Sequence, residues 1–577
     1  MNIQSILILT AILITAVIVA YRYIHRQKRT GGCGTCNCSC HETCKLHILA
    51  LISTATVAAT AQTHQPALIP YPREIHISLQ KPCIIQSKCL ISTDDRLLTE
   101  TTYLKALLHR HFPDISLHDR QRAKADIKLC IDTTLRDNDE QYTLTVNHKG
   151  IAIHGATPHA VFNAINTLDQ WIRTNSTCNK NRFCIAPVQI RDIPRYRYRA
   201  LMLDPARHYL PVSDIKRYID EMARFKFNTL QLHLSDDQGF RIQVYSHPQL
   251  TQGQQHYTQD QIRELIRYAA TRHVTIVPEI DIPGHTYGIL RTHPQYLCQH
   301  TDTTAWGHKL RTDVMMCASQ PEVYKLCSDI INEIAALFPS PYIHLGGDES
   351  LIRKNWSLCP RCQALKARLH YTSDDLIMGY FFSHFWETLR AKGKKPILWV
   401  EMDNIVPPAT QYLFPYPKDV TLVTWRNALT PTAIRLTAAS GNDLIMAPGE
   451  HCYFDYPQYP GDLPENNNWG MPILTLKDAY QWDPAYPELN QPTDHITGVM
   501  GTLWGEAIND INRAFYMTYP RALALAEAGW STPDNRHWTG FKTRLYPILD
   551  DMMQRGIPFR VPFEIYAGND KNYPQKK

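Results

Sequence analysis

The larger, carboxyl-terminal part of the chain alternates short apolar runs with longer segments in which apolar residues recur at helical spacing. Strands that read as continuous apolar runs are buried on both faces, and their alternation with helices is typical of a parallel sheet. Eight such runs over roughly 330 residues predict an α/β fold, the (β/α)8 or TIM barrel. The predicted strands are 200–203, 230–234, 274–280, 342–345, 396–400, 420–425, 444–447 and 499–504.

A different pattern precedes the barrel. Short strand-like runs are followed by a segment in which Pro158 opens a helix and apolar residues recur at helical spacing up to Trp171. Strands beside one or two helices predict a small α+β domain at 62–190. Its residues include no set suited to catalysis, so we interpret it as an accessory domain. Its predicted strands are 127–131, 142–146 and 150–154.

The amino terminus carries two hydrophobic segments. The first, from Ile3 to Ala20, is long enough to span a bilayer and is followed by basic residues, as positive-inside flanks are. The second, 46–59, ends in an A-x-A pattern typical of a signal peptide, which predicts a mature start near Gln62. We therefore expect an exported protein, periplasmic or on the cell surface, with membrane anchoring through the first segment as the alternative.

Four closely spaced cysteines lie between these segments, from Cys33 to Cys40. Residues 1–41 resemble small cysteine-rich membrane proteins that accompany bacterial ferrous-iron transporters. One interpretation is an upstream reading frame joined to a secreted enzyme, or a start codon assigned too early, and the other is a genuine membrane anchor. The predicted domains are 1–61 (hydrophobic segments and cysteines), 62–190 (α+β), 191–560 (barrel) and 561–577 (tail).

Composition narrows the class of protein. A chain of 577 residues is too long for one compact core, and 44% hydrophobic with 20% charged residues fits a soluble enzyme. The net charge of +6 is weak and no dense basic patch is interleaved with aromatics, which argues against a nucleic-acid partner. No phosphate cradle or metal-ligand set is evident, so we expect neither a cofactor nor a catalytic metal. No pattern indicates an oligomeric state.

Besides Cys44 and the four cysteines between 33 and 40, eleven more are scattered over the rest of the chain. Cys359 and Cys362 have the C-x-x-C spacing of half a zinc site, but no second pair lies at a matching distance in the sequence. We therefore favour a local disulfide or free thiols at this position.

The residues after each predicted strand are the candidates for chemistry, because a TIM barrel holds its active site at the carboxyl ends of its strands. The run 342–349 illustrates this, since it ends in Gly346 and Gly347, which permit close backbone approach, and then in Asp348 and Glu349. Acids, an arginine, a histidine and tryptophans on one face suit a sugar, whose C–H faces stack on aromatic rings. Singly each residue has an ordinary structural explanation; their shared placement favours function. The candidates are Arg207, Asp236, His285, Asp348, Glu349, Trp399, Trp425, Tyr453, Asp455, Trp504 and Glu506.

Five motifs make the chain similar to family 20 glycoside hydrolases, the β-N-acetylhexosaminidases. The resemblance covers roughly residues 66 to 560, including the α+β domain that precedes the barrel in this family, and not the first 61. The motifs are LDPARHY at 203–209, HLSDDQG at 233–239, PEIDIPGH at 278–285, HLGGDE at 344–349 and LWGE at 503–506.

The resemblance implies a role for each candidate. Glu349 would be the general acid and base, and Asp348 the partner of the substrate's 2-acetamido group. The negative charge of the adjacent Asp348 is expected to disfavour ionisation of Glu349 and so to keep it protonated. By the same resemblance, Arg207 and Glu506 would bind the outer hydroxyls of the sugar, and Asp236 and His285 would hold the acid region in place.

The aromatic candidates would line the pocket. Trp399, Trp425 and Trp504 would form walls around the N-acetyl methyl group, and Tyr453 would bind the acetamido carbonyl oxygen. Asp455 stands where family members have Asp or Asn, and Trp469 would be a platform for the aglycone.

The implied activity is exo-hydrolysis of terminal, non-reducing β-linked N-acetylhexosamine (GlcNAc or GalNAc) from glycans, with retention and substrate assistance in place of a protein nucleophile. The expected partners are glycans that contain N-acetylhexosamine, with membrane attachment through the amino terminus as a further possibility. Release of a disaccharide, as by a lacto-N-biosidase, is the alternative among enzymes. A non-catalytic glycan-binding protein on the same scaffold is the alternative outside them.

Overall fold

The computed structural model describes residues 66–119, 125–179, 182–304, 306–462 and 470–566. The predicted membrane and signal segments, the first cysteine cluster and Trp469 lie outside these ranges. Within them, no helix is long and apolar enough to cross a membrane.

The elements alternate as the sequence predicts. The strands are β1 Glu74–Ile77, β2 Cys83–Gln86, β3 Lys88–Thr93, β4 Ser116–Asp119, β5 Ile127–Ile131, β6 Tyr142–Asn147, β7 Gly150–Gly155, β8 Ser176–Asn179, β9 Arg182–Ile185, β10 Val188–Asp192, β11 Tyr198–Leu203, β12 Thr229–His233, β13 Thr275–Glu279, β14 Tyr342–His344, β15 Lys395–Trp399, β16 Thr421–Thr424, β17 Leu444–Met446 and β18 Ile496–Gly501. The helices are α1 Leu98–His111, α2 Pro158–Asn175, α3 Val212–Arg224, α4 Gln259–Ala270, α5 Tyr287–Leu290, α6 Pro321–Leu337, α7 Pro360–Arg368, α8 Leu376–Ala391, α9 Thr430–Ser440, α10 Gly449–Cys452, α11 Leu476–Gln481, α12 Ile511–Thr518, α13 Arg521–Trp530, α14 Trp538–Gln554 and α15 Phe563–Tyr566.

Strands β11 to β18 form a closed parallel barrel, which confirms the predicted TIM barrel. All eight predicted runs fall on these strands. The barrel closes where β11 pairs with β18, with Tyr198 opposite Gly498. Almost every strand residue is buried, because side chains fill the interior and helices cover the outside. The last strand ends at Gly501, so Trp504 lies beyond it and not inside it as the run 499–504 predicted.

The amino-terminal part of the described chain is a seven-stranded sheet in the order β1-β10-β6-β7-β5-β3-β4, beside a three-stranded sheet β2-β9-β8. This is the small α+β unit that was predicted to precede the barrel. Helix α2 begins at Pro158, and the Thr157 hydroxyl caps it by accepting from the amide of Ala160. The helix is buried along most of its length, because it contacts strands on one side and the barrel helix α3 on the other.

Buried ion pairs join the sheet to the barrel. Glu140 pairs with Arg199 of β11 at 2.5 Å, and Asp192 at the end of β10 pairs with Lys226, just after α3, at 3.0 Å. The indole nitrogen of Trp530 in α13 donates to Asp192 at 3.0 Å. Charges buried this deeply are stable only when paired, so the accessory unit is held in one place against the barrel.

Candidate active site

The predicted candidates follow their strands at the carboxyl-terminal end of the barrel. Contacts between neighbouring side chains connect these candidates into one site. Trp469 alone among them lies outside the described residues. Arg207 follows β11, Asp236 follows β12, His285 follows β13, Asp348 and Glu349 follow β14, Trp399 ends β15, Trp425 follows β16, Tyr453 and Asp455 follow β17, and Trp504 and Glu506 follow β18.

Arg207 is a cation surrounded by carboxylates. Its Nη2 lies 2.7 Å from Asp236 Oδ2 and 4.0 Å from Glu506 Oε1, and its Nη1 donates to Asp204 Oδ2 at 2.9 Å. Burial lowers the pKa of the guanidinium, but these acids outweigh burial and hold it well above its ordinary value. The guanidinium carbon also lies 5.1 Å from the ring centroid of Trp504. Arg207 is therefore fixed in position and permanently charged.

His285 connects Asp236 to Glu349. Its Nδ1 lies 3.2 Å from Asp236 Oδ1, and its Nε2 lies 3.7 Å from Glu349 Oε2. Burial works against the charged imidazole, but both carboxylates favour it and the pKa of His285 is raised well above its ordinary value. The carboxylates on both sides of His285 therefore favour the protonated form of its ring.

The backbone around the two acids adopts conformations that most residues resist. His285 and Glu349 have φ values of 50° and 46°, in the left-handed region. Such conformations are costly for residues with a Cβ and are concentrated at functional sites. Gly346 has φ 68°, and a Cβ added there would lie 1.8 Å from Asp281 Oδ1. The predicted backbone conformation is confirmed, because Gly346 and Gly347 both have positive φ values, 68° and 96°.

Asp348 and Glu349 have opposite environments. Asp348 is 7% exposed, and burial raises the pKa of its carboxyl, with Glu279 and Glu349 adding to the rise. The Glu349 side chain is 52% exposed, and the contact with His285 lowers its pKa, helped by Arg426. The expectation that Asp348 keeps Glu349 protonated is therefore wrong, because the neighbouring cations outweigh Asp348. Asp348 Oδ1 is buried and has no hydrogen-bond partner among the described residues, so it can accept from a ligand.

Glu279 forms the floor beneath these acids and was not among the candidates. It is fully buried at the end of β13, and His233 Nδ1 lies 2.8 Å from its Oε2. Gln231 donates to the same oxygen at 2.8 Å, and the indole nitrogen of Trp399 donates to Oε1 at 2.8 Å. These contacts orient Trp399, and the neighbouring His344 and His233 keep the pKa of Glu279 lowered, to about 2, although burial alone would raise it.

The aromatic candidates surround the acids at different depths. Trp399 is 1% exposed and lies 5.8 Å, centroid to centroid, from Trp504, which is partly exposed. Tyr453 is buried, and its ring centroid lies 6.2 Å from that of Trp504. Trp425 is also partly exposed. The rings thus give the site apolar surfaces beside its carboxylates, as a sugar with an apolar substituent needs.

Asp455 and Glu506 add two carboxyl groups near the aromatic rings. Asp455 Oδ1 accepts from the amide of Trp504 at 3.4 Å. Burial raises the pKa of Asp455 well above its ordinary value and also raises the pKa of Glu506, against the effect of Arg207. Among the described residues, Asp455 Oδ2 and Glu506 Oε2 have no hydrogen-bond partner. Both are therefore suited to accept from hydroxyl groups.

Arg426 and Glu401 also belong to the site. Arg426 was not predicted, and Glu401 was expected at the end of its strand but was given no role. Arg426 Nη2 lies 3.6 Å from Glu349 Oε1 and 3.8 Å from Glu401 Oε1, and its guanidinium carbon lies 3.7 Å from the ring centroid of Trp425. Burial raises the pKa of Glu401 to about 7, although Arg426 opposes this. Both residues come shortly after the carboxyl end of a barrel strand, so the strand-end rule that identified Arg207 applies to them as well.

Two family profiles match the chain. The profile described as "Glycosyl hydrolase family 20, catalytic domain" matches residues 196–533. The profile described as "Glycosyl hydrolase family 20, domain 2" matches residues 65–193. The matches therefore include the barrel and the unit that precedes it.

Similar proteins agree with these matches. A beta-hexosaminidase from Akkermansia muciniphila is 35% identical over 401 residues, covering 66% of this chain and 77% of that protein. One from Vibrio furnissii is 32% identical, covering 83% of this chain and 78% of the relative. The crystal structure of a GH20 exo β-N-acetylglucosaminidase from Vibrio harveyi in complex with N-acetylglucosamine is 29% identical, with a TM-score of 0.73 over 86% of this chain and 79% of that one. This chain belongs to glycosyl hydrolase family 20.

Proposed function

We propose that the protein is a β-N-acetylhexosaminidase, an exo-acting hydrolase that releases terminal non-reducing GlcNAc or GalNAc from β-linked glycans. The observation that carries the proposal is the pair after β14, a buried Asp348 with an unpartnered carboxylate oxygen beside a half-exposed Glu349. The beta-hexosaminidases among the relatives support the substrate class.

In the first step, the carbonyl oxygen of the substrate's 2-acetamido group attacks C1 while the bond from C1 to the leaving oxygen breaks. Glu349 gives that oxygen its proton, and a cyclic oxazolinium ion forms with its positive charge on the former amide. Asp348 holds the amide N–H and stabilises this charge. Water activated by Glu349 then attacks C1 and restores the acetamido group, with net retention of configuration.

The proton for the leaving group comes from the row Asp236, His285, Glu349. His285 Nε2 faces Glu349 Oε2 across 3.7 Å, close enough for the imidazole to share a proton with the carboxylate that needs it. Arg426 on the other side of Glu349 stabilises the carboxylate when it has given the proton away.

Binding is divided between charged groups and rings. Arg207 and Glu506 hold the outer hydroxyls, with Asp455 beside them, and Tyr453 binds the acetamido carbonyl oxygen. Trp399, Trp425 and Trp504 enclose the methyl group of the acetamido substituent. Trp469 remains a predicted platform for the aglycone.

Hydrolysis of aryl glycosides tests the proposal. Nitrophenyl 2-acetamido-2-deoxy-β-glucoside and the corresponding galactoside should be cleaved, whereas the plain β-glucoside should not, because it has no internal nucleophile. Equal rates on the plain glucoside would contradict substrate assistance. Hydrolysis of none of these substrates, together with tight binding of GlcNAc, would favour a glycan-binding protein.

We also propose that the protein is exported, to the periplasm or cell surface. The support is the pattern of residues 1–61, with an apolar segment and basic flank and then a signal-like segment ending before Gln62. Sequencing the amino terminus of the native protein and measuring its mass tests this. A mature start near Gln62 is expected for signal cleavage, and a start far upstream would exclude cleavage there and favour the membrane anchor.

A further inference from the structure

Four buried cysteines from separate parts of the chain meet beside the active site. Cys298 and Cys317 lie in the segment between β13 and α6, and Cys359 and Cys362 lie at the start of α7. All four are buried, and their sulfur atoms lie within 4.8 Å of one another. Only the second pair has a motif spacing, because Cys298 and Cys317 are brought together by the fold.

The distances fit a shared ion better than they fit disulfides. Cys317 Sγ lies 3.6 Å from Cys362 Sγ and 4.0 Å from Cys359 Sγ. Zinc binds thiolate sulfur at about 2.3 Å, so the edges of a tetrahedral four-sulfur site are about 3.8 Å long. A disulfide needs about 2.0 Å between sulfurs. All the cysteines in the described ranges are free thiols.

The donor set itself selects the kind of metal. Four soft thiolates in a closed, buried cluster, without a carboxylate or imidazole in the set, suit Zn²⁺ and leave no position open for water. The Ser319 hydroxyl lies 3.1 Å from Cys317 Sγ, where it can donate to a sulfur that carries negative charge. Such a site stabilises structure and takes no part in chemistry.

We propose that Cys298, Cys317, Cys359 and Cys362 bind one structural Zn²⁺ that joins the two loops on which His285 and Glu349 lie. The loops already contact each other at this point. The amide of Met316, next to Cys317, donates to Pro283 at 3.0 Å, and the Trp356 indole nitrogen donates to Met316 at 2.8 Å. The ion would fix the distance between these loops. This inference is independent of the proposed substrate.

Metal content tests the site directly. Native mass spectrometry and elemental analysis of the full-length protein, purified with thiols reduced and without chelator, should find one zinc per chain. The double variant Cys359→Ser/Cys362→Ser should lose it. Cys327→Ala is the matched control, because Cys327 is equally buried on the neighbouring helix α6 but outside the set, and it should keep the zinc.

The wild-type protein provides a second test that does not depend on the variants folding. Its zinc X-ray absorption spectrum should fit four sulfur neighbours at about 2.3 Å. Withdrawal of the metal by a strong chelator should lower the thermal unfolding midpoint, with recovery on adding zinc. Metal-free protein with two disulfides among these cysteines would overturn the proposal, as would zinc with nitrogen or oxygen neighbours, and bound iron would overturn the identity of the ion.

Discussion

Asp348 and Glu349 are neighbours in the chain, yet they differ in burial and in the direction of their pKa shifts. Asp348 is buried and its pKa is raised, whereas Glu349 is half-exposed and its pKa is lowered by His285 and Arg426. The proton needed for leaving-group departure is therefore stored on His285 and belongs to the pair that His285 makes with Glu349. Two predictions follow from this division of charge.

The first concerns Asp348→Asn, which neutralises the carboxylate at constant size. Because Asp348 acts on charge that develops only as the oxazolinium forms, kcat should fall on the order of 10²-fold or more while KM changes little. Steady-state kinetics on a nitrophenyl 2-acetamido sugar measures this. A thiazoline mimic of the intermediate should lose more affinity than GlcNAc. An unchanged kcat would make Asp348 a structural acid.

The second concerns His285→Asn and the pH profile of kcat/KM. In the wild type, the His285 pKa is raised, so the pair keeps its proton as pH rises through neutrality and loses it only at higher pH. In the variant Glu349 alone must hold the proton, and a carboxyl group loses its proton at lower pH than an imidazolium does. The alkaline limb should therefore move to lower pH by more than about one unit.

His273→Asn is the control for this variant. His273 also has a positive φ, 54°, and also pairs with a carboxylate, Glu100, but it lies outside the site. Asparagine tolerates this backbone region better than most residues, so both variants should fold. The alkaline limb should stay in place for His273→Asn, and an unmoved limb for His285→Asn would show that the proton is not stored on His285.

The strand-end rule identified most of the site from the sequence and missed the rest for physical reasons. Arg207, Asp236 and His285 stand in polar clusters after apolar runs, which makes them visible. Glu279 is the last residue of β13 and falls inside the predicted run 274–280, where one acid among apolar residues has no evident purpose until His233 and Trp399 converge on it in three dimensions. The pKa values of the acid pair depend on those same distant partners.

At the scale of elements, the burial of a strand determines whether it can be predicted from the pattern of apolar residues. The barrel strands are buried on both faces, so their apolar runs are continuous and all eight were predicted. In the accessory unit, only β5, β6 and β7 were predicted, and in each of them buried and half-buried residues alternate along most of the strand. Strands β1 and β4 lie at the edges of the sheet and are mostly exposed, so they lack an apolar pattern.

The turn after β14 gives the third prediction. Gly346→Ala places a Cβ 1.8 Å from Asp281 Oδ1 and 2.8 Å from Asp281 Cα, in addition to the strain of a positive φ. The free energy of unfolding should fall by at least about 3 kcal/mol, measured by urea denaturation. Gly393→Ala is the matched control, because its φ is 67° but its Cβ meets nothing within 4 Å. It should lose only about 1 kcal/mol, and equal losses would refute the steric argument.

At the scale of the whole molecule, the accessory unit and the barrel share buried charges. Asp192 accepts from Lys226, from the Tyr142 hydroxyl at 2.6 Å and from the Trp530 indole. This arrangement makes the accessory unit part of the stability of the barrel, although it contributes no residue to the candidate site.

Asp192→Asn is therefore the fourth prediction. It leaves the Lys226 ammonium buried without a countercharge, which typically costs about 3 to 5 kcal/mol in unfolding free energy. Asp443→Asn removes the partner of exposed Arg197 and should cost less than about 1 kcal/mol. Chemical denaturation of both variants compares them. If both lose the same small amount, the buried pair does not join the two parts as described.

The pairing of β11 with β18, which closes the barrel, also determines when during folding the protein becomes active. Asp204 Oδ2 accepts from the amide of Gly505 at 2.8 Å, between residues 301 positions apart, and Arg207 and Glu506 flank that contact. At typical synthesis rates, about 15 to 60 s separate the appearance of these two ends on the ribosome. The accessory unit is complete long before then, whereas the substrate site exists only once the last strand has docked. Hydrolysis therefore reports barrel closure, and the rate at which activity recovers during refolding measures the rate of closure.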